Sequence, residues 1–126
     1  MSFNWEDYLT LANELSTQNE GYIEQARKRA AISRAYYAAF IKARNKALPE
    51  IGRPPSNYRG GSHNYYINYY VSKGHAGREV HRKLKRLKKR RVKADYEDSF
   101  NSINKELISA LRESKKIISK LDQIIL

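Results

Sequence analysis

Apolar residues recur at intervals of three and four along most of the chain, which is the period that aligns them on one face of an α-helix. The clearest stretch, residues 30–44, is rich in alanine and contains neither Gly nor Pro. It extends a row, interrupted by one serine, that consists of Ile23, Ala26, Ala30, Ser33, Tyr37, Phe40 and Ile41. Because alanines let neighbouring helices approach closely, we expect the central helix of a bundle here.

The flanking segments predict where this central helix and the first helix begin and end. Asn4 is expected to cap the first helix, and residues 16–19 are expected to end it. The buried stripe of the first helix is Trp5, Tyr8, Ala12 and Leu15. The central helix is expected over residues 20–48, followed by a Gly- and Pro-rich loop over residues 49–61.

Residues 63–71, H-N-Y-Y-I-N-Y-Y-V, have a composition that favours a β-strand. Since the sequence offers no partner strand, we expect instead a helix of about eleven residues, capped by Ser62 and ending at Gly74. Its four tyrosines at 65, 66, 69 and 70 are too many for one core stripe, so about half should be exposed or in an interface. They could serve a core and a dimer contact, or a platform on which bases stack.

Two further helices complete the predicted fold. The fourth is expected from residue 76 to residue 91 or 93, with a narrow stripe of Val80, Leu84 and Leu87. The fifth is expected from about residue 98, and its apolar row is Phe100, Ile103, Leu107, Leu111, Ser114, Ile118, Leu121 and Ile125. The fold class is therefore all-α, an up-and-down bundle of four principal helices plus a short fifth, forming one domain over residues 1–126.

The positive charge is concentrated in one part of the chain. The formal net charge is +12, and residues 73–93 contain eleven basic residues against one acid. Such a patch attracts polyanions, chiefly nucleic acid, although a solubilising face or an acidic partner protein would explain it too. The residues expected to contact nucleic acid are Arg82, Lys85, Arg86, Lys88, Lys89 and Arg90.

Other classes of protein are disfavoured by composition. The chain has no cysteine, no apolar run near membrane-spanning length, and acids instead of bases at Glu6 and Asp7, unlike a signal peptide. We expect a cytoplasmic protein without a membrane partner. His75 and His81 are six residues apart, so they do not share a helix face as paired ligands would. Neither a metal site nor a cofactor is expected.

Three motifs in order resemble the HEPN domain family, in its small stand-alone prokaryotic branch that is often found beside minimal nucleotidyltransferases. They are S-R-A-Y-Y-A-A-F at 33–40, Ser62-His63 after a loop, and K-A-D-Y at 93–96. The resemblance covers residues 5–121. It implies a homodimeric helical bundle with a positive cleft at the dimer interface, RNA or a nucleotide as ligand, and membership of a toxin–antitoxin or defence pair.

Several HEPN families are metal-independent ribonucleases whose signature is Arg, four to six residues, then His. This chain departs from that signature, because no Arg precedes any of its histidines at that spacing. The matching segment has Arg91, then Asp95 and Tyr96. Metal-free RNA cleavage needs a base, an acid and a cation. Arg91 suits the cation, whereas aspartate and tyrosine side chains in general titrate far from neutrality, which makes the base and acid the weak part of this set.

Two further residues, Arg34 and His63, have open roles. Arg34 could pair with Asp95 to join two helices, or serve catalysis. His63 could cap or hydrogen-bond at the start of the third helix, or supply the missing acid and base from a loop.

Two functions therefore stay open. The chain is either a ribonuclease-like effector using Arg91, Asp95, Tyr96 and His63 or Arg34, or a non-catalytic binding or adaptor subunit. An adaptor of this kind would pair with a nucleotidyltransferase antitoxin or with another acidic partner.

Overall fold

A computed structural model describes residues 2–17 and 23–125, and the all-α prediction is confirmed there, since these residues form helices and no strand. A 3₁₀ turn, Tyr70–Ser72, joins the third helix to the fourth. Within the described ranges, no helix combines the length and apolar character needed to cross a membrane. The helices are α1 (Asp7–Thr17), α2 (Glu24–Ile51), α3 (Ser62–Tyr69), α4 (Gly74–Tyr96) and α5 (Ile103–Leu121).

Helix α2 is the centre of the bundle and contacts α1, α4 and α5. Its first turns lie beside the end of α4, where the Arg29 guanidinium donates to the carbonyls of Ala94 (3.1 Å) and Glu97 (2.6 Å). Farther along, Tyr70 before α4 donates to the carbonyl of Ala43 at 2.6 Å. These contacts make α2 and α4 antiparallel, as an up-and-down bundle requires.

Alanine makes this central position of α2 sterically acceptable. A side chain that stops at Cβ lets the neighbouring backbones approach closely, and close packing without voids is what stabilises a core. The Ser114 hydroxyl of α5 reaches the backbone of α2 and donates to the Ala35 carbonyl at 2.7 Å, which satisfies a fully buried polar group. The alanines of α2 that are completely buried are Ala31, Ala35, Ala38, Ala39, Ala43 and Ala47.

The buried face of α2 differs in part from the predicted row. Ser33, Phe40 and Ile41 are buried as expected, but Ile23 and Ala26 are exposed. Ala30 and Tyr37 are only half-buried, while their neighbours Ala31 and Tyr36 are buried completely. The prediction was wrong in phase because alanines on every side of α2 leave the hydrophobic period without a clear maximum.

The end of α2 was also placed too early. Helix α2 continues through Pro49 to Ile51, where the sequence predicted its end at Leu48. The tyrosines of α3 satisfy carbonyls beyond that point, because Tyr65 donates to Ile51 and Tyr66 to Gly52, each at 3.1 Å. The predicted start at residue 20 lies outside the described residues.

Asn4 caps α1 as predicted, since its side chain accepts from the Glu6 N–H at 3.1 Å. Ser62 is not a cap: Gly61 precedes α3 with φ 84°, and no side chain caps that helix. Gly74 begins α4 rather than ending α3. The third helix predicted at about eleven residues is therefore an α-helix of 8 residues followed by a 3₁₀ turn of 3 residues.

Helix α4 is longer, and α5 shorter, than predicted. Helix α4 reaches Tyr96, and α5 begins at Ile103 and ends at Leu121. Beyond α5, Ile124 is buried in place of Ile125, which is 96% exposed. The extension of α4 beyond residue 93 matters most, because residues 94–96 continue the helix and Arg91 and Asp95 therefore lie one turn apart.

Replacing Ala35 by Leu tests the packing around α2. The added carbons have no space there, so we expect the free energy of unfolding to fall by about 1–3 kcal/mol. Ala26→Leu on the exposed side of the same helix is the matched control and should change it by less than about 0.5 kcal/mol. Urea unfolding followed by circular dichroism measures both, and equal losses in the two variants would contradict the proposed packing.

Candidate nucleic-acid interface

Side chains from three helices meet where α3 lies against α2 and α4. We call this group the His63 cluster. His63 comes from α3, between aromatic rings of α2 and cations of α4, and 27 residues separate it from its hydrogen-bond partner Tyr36. The cluster consists of Tyr36, Tyr37, Phe40, His63, Lys88 and Arg91.

The imidazole of His63 is fixed in orientation. Its ring stacks on Phe40 with centroids 4.1 Å apart and planes 10° from parallel. Its Nδ1 lies 2.6 Å from the hydroxyl of Tyr36, and one of the two groups donates to the other. Because Nδ1 is engaged, Nε2 is the nitrogen left for a ligand.

The surroundings of His63 disfavour its charged form. Burial lowers the pKa of His63 from 6.5 to about 4, with further lowering by Lys88, Arg91 and Arg44. Burial also raises the pKa of Tyr36, against the opposing effect of Arg91, so its hydroxyl stays protonated. The pKa of Lys88 is lowered by burial and by Arg91. The imidazole of His63 is therefore neutral at pH 7, although cations surround it.

Arg91 is held by an ion pair, a hydrogen bond and aromatic rings. Its Nε lies 2.9 Å from Oδ2 of Asp95. This buried N–H does not point at the carboxylate, so the two groups form an ion pair without a hydrogen bond. Its Nη2 donates to the Tyr37 hydroxyl at 2.7 Å. The guanidinium also lies over the rings of Tyr37 and Tyr96, at 5.1 and 5.8 Å from their centroids. Tyr96 itself is 71% exposed.

The predicted ion pair between Arg34 and Asp95 is wrong. Asp95 pairs with Arg91 and accepts from the Ser33 hydroxyl at 3.5 Å. The Arg34 guanidinium lies instead over the ring of Tyr8 on α1, 4.9 Å from its centroid. Successive residues of a helix point about 100° apart, so with Ser33 facing α4, Arg34 faces a different neighbour.

The prediction that His63 caps or hydrogen-bonds at the start of the third helix is confirmed for the hydrogen bond and wrong for the cap. His63 is the second residue of α3, and its hydrogen bond crosses to Tyr36 of α2. The structure thus brings His63 and Arg91 to the same cluster through tertiary packing. Arg34 is not part of that cluster.

The six basic residues predicted to contact nucleic acid divide into two groups. Lys85, Lys88 and Lys89 line an open groove of about 430 Å³ between α3 and α4. The arginines are engaged in ion pairs: Arg82 with Glu79, Arg86 with Glu113, and Arg90 with Glu106 and Glu113. The lysines are therefore the better-placed half of the predicted set. We call their groove the lysine groove.

The ion pairs of Arg86 and Arg90 fasten α4 to α5. The Arg90 Nε lies 2.8 Å from Glu106, and the Arg86 Nε lies 3.4 Å from Glu113. A sequence signal for this face existed, because the two arginines are four residues apart and the two glutamates seven, both helical intervals.

The four tyrosines around α3 are less exposed than the sequence predicted, since none of them is fully exposed. Tyr66 and Tyr70 are buried, whereas Tyr65 and Tyr69 are half-buried. Their hydroxyls bond to the last third of α2 and to the residue after it, Tyr69 through the carboxylate of Glu50. Their common role is to hold α3, and with it His63, against α2.

Neither a metal site nor a relative identifies the ligand. Within residues 2–17 and 23–125, no group of three His, Asp or Glu side chains could hold a metal ion. Comparisons of the chain with protein-family models, curated proteins and solved structures find no match. The class of ligand must therefore be inferred from the side chains and charges of the His63 cluster and the lysine groove.

His63 gives stability a pH dependence of known sign. Between pH 6.5 and 4 the unfolded chain protonates this imidazole while the folded chain keeps it neutral, so stability is lost as pH falls. We expect the difference in unfolding free energy between wild type and His63→Gln to shrink across that window. The pKa of His81 is also lowered, and taking this difference cancels its contribution. Urea titrations at a series of pH values measure it, and a constant difference would contradict the depressed pKa.

Proposed function

We propose that this chain is a HEPN-type protein that binds RNA or a nucleotide, acting in the cytoplasm as a toxin or defence-system component. The observation that carries the proposal is the set of cations Arg44, Lys88 and Arg91 around a neutral His63. Asp95 offsets Arg91, and no carboxylate contacts the other two among the described residues. A phosphate entering here would relieve that repulsion.

The lysine groove extends the same field over the surface. Lys88 donates to Asn64 at 3.1 Å, and Lys85 and Lys89 are exposed beside it. Repulsion between like charges one turn apart costs a few tenths of a kcal/mol per pair, which a bound polyanion would remove. A polyanion with evenly spaced charges fits such a line of lysines better than a single acidic side chain does.

An apolar rim beside the lysine groove supports the homodimer expected from the HEPN resemblance. Val92 is 39% exposed and Tyr96 is 71% exposed, one turn apart on α4. Val92 also lines the groove. A second copy packed on this rim would bring two basic grooves together, as the resemblance implies.

Neutralising the lysine groove tests RNA binding. Lys85→Ala/Lys88→Ala/Lys89→Ala should weaken binding of single-stranded RNA and flatten the slope of log affinity against log salt by about 2, at about 0.7 per lost phosphate contact. The matched control is Lys105→Ala/Lys115→Ala/Lys116→Ala, three exposed lysines of α5. Fluorescence anisotropy across a salt series measures both. Equal weakening in the two variants would show only the effect of net charge.

Metal-independent RNA cleavage is a second candidate, favoured by the meeting of His63 and Arg91. In such a step His63 takes the proton of a 2′-hydroxyl, the 2′-oxygen forms a bond to phosphorus, and the bond to the 5′-oxygen breaks. The proton then passes to the 5′-oxygen, while Arg91 stabilises the charge on phosphorus. A base with a pKa of about 4 is weak at pH 7, so the free protein is better suited to bind RNA than to cleave it.

If the chain cleaves RNA, cleavage should persist in EDTA. His63→Gln should abolish it, because the side-chain amide of Gln cannot take the proton from the 2′-hydroxyl and pass it to the 5′-oxygen. Arg91→Lys keeps the positive charge but loses the paired N–H donors of the guanidinium. It should therefore slow cleavage more than it weakens RNA binding. Gel analysis of a labelled structured RNA and a single-stranded RNA measures both. Cleavage that EDTA stops would contradict the mechanism. Binding without cleavage would assign the chain to the adaptor alternative, paired with a nucleotidyltransferase or another acidic partner.

A further inference from the structure

A second groove lies against His63, next to the end of α2. It has a volume of about 470 Å³ and is open to solvent on one side. Its lining combines cations, a polar group and apolar surface, and includes Arg44, Leu48, Arg53, Pro54, Ser62 and His63. We call it the arginine groove. A groove of this size is within the range of about 300–1,000 Å³ that is typical of sites for small ligands.

Its two arginines have no acidic partner in the described part of the chain. Arg44 donates only to the side-chain carbonyl of its neighbour Asn45, at 3.2 Å from Nε and 3.0 Å from Nη2. Arg53 is exposed, and no acid lines the groove. This contrasts with Arg86 and Arg90, whose charges are used to fasten α5. Two guanidinium groups left without a carboxylate offer their donor forks to an anion.

The position of Arg53 is set by firm anchors. Gly52, just before it, takes φ 63°, which turns the chain away from α2 at low steric cost. The Gly52 carbonyl accepts from Tyr66, and its N–H donates to the Leu48 carbonyl at 2.8 Å. The groove wall that carries Arg53 is therefore tied to both α2 and α3.

Helix α3 separates the arginine groove from the lysine groove. His63 lines the first, and Asn64, the next residue, lines the second and binds Lys88. Cations from both sides act on His63, since Arg44 on one side and Lys88 and Arg91 on the other all lower its pKa. The two grooves thus form one positive track that crosses α3 at His63.

We propose that the arginine groove binds one nucleotide unit of a single-stranded RNA whose backbone continues across His63 into the lysine groove. Arg44 and Arg53 would hold a phosphate, and Leu48 and Pro54 would pack against the sugar and base. This inference rests on the proposed function and specifies its ligand as an extended strand instead of a mononucleotide. A duplex, with its bases already stacked, could not lay one nucleotide into the groove.

The test compares Arg44→Ala/Arg53→Ala with Arg78→Ala/Arg112→Ala, which removes two exposed arginines outside both grooves. The probe is a labelled eight-nucleotide single-stranded RNA, with anisotropy read across a salt series. We expect the first variant to lose at least tenfold in affinity and about 0.7 in log–log salt slope, because the two arginines hold one phosphate and a single strand loses about 0.7 per phosphate contact. Arg53→Ala alone, at an exposed position, should lose about half that slope, and circular dichroism checks that each variant is folded.

The outcomes separate the inference from the function on which it rests. If wild type binds and the groove variant matches the Arg78/Arg112 control, the arginine groove is not a subsite, while RNA binding stands. If wild type binds neither this RNA nor a duplex, both fail. If wild type and the groove variant bind a duplex as tightly as the single strand, the extended-strand ligand is wrong. Selective loss in the groove variant supports the subsite.

Discussion

Close packing around the alanines of α2 determines the distances in the rest of the protein. Because the side chains of Ala35 and Ala43 stop at Cβ, neighbouring segments can approach until the Ser114 hydroxyl reaches the backbone of α2 from one side and the Tyr70 hydroxyl from another. The same approach lets Arg91 of α4 bond to Tyr37. The site is thus a consequence of the core: larger residues on α2 would separate the helices that carry its parts.

Helix α4 uses its two faces differently. Toward α5 its arginines meet the glutamates 106 and 113, so positive charge there contributes to attachment. Toward α3, Lys88 meets the amide of Asn64 and the imidazole of His63, which cannot neutralise its charge. An unbalanced charge beside a groove creates a lasting attraction for anions.

The fold could be predicted from local sequence, but most of the site could not. Helical periods identify the number of helices, and the phase error on α2 arises because alanine carries little hydrophobic signal. The pairing of Tyr36 with His63, and of Arg91 with Tyr37, joins residues 27 and 54 positions apart, which no local pattern reports. The Arg34 error has the same origin: the motif put Arg34 near the site, but the rotation of α2 decides that Ser33 faces Asp95.

The cations that favour a phosphate also weaken His63 as a base. In the free protein they act with burial to lower its pKa to about 4, far from the value near neutrality at which a general base is most effective. A bound phosphate opposes part of that effect, because its negative charge offsets Lys88, Arg91 and Arg44 and favours the imidazolium. In the proposed complex with RNA, His63 would therefore be a stronger base than in the free protein. If the chain cleaves RNA, the electrostatics set the order of the two steps: a phosphate must bind first, and only then would the imidazole be able to move a proton.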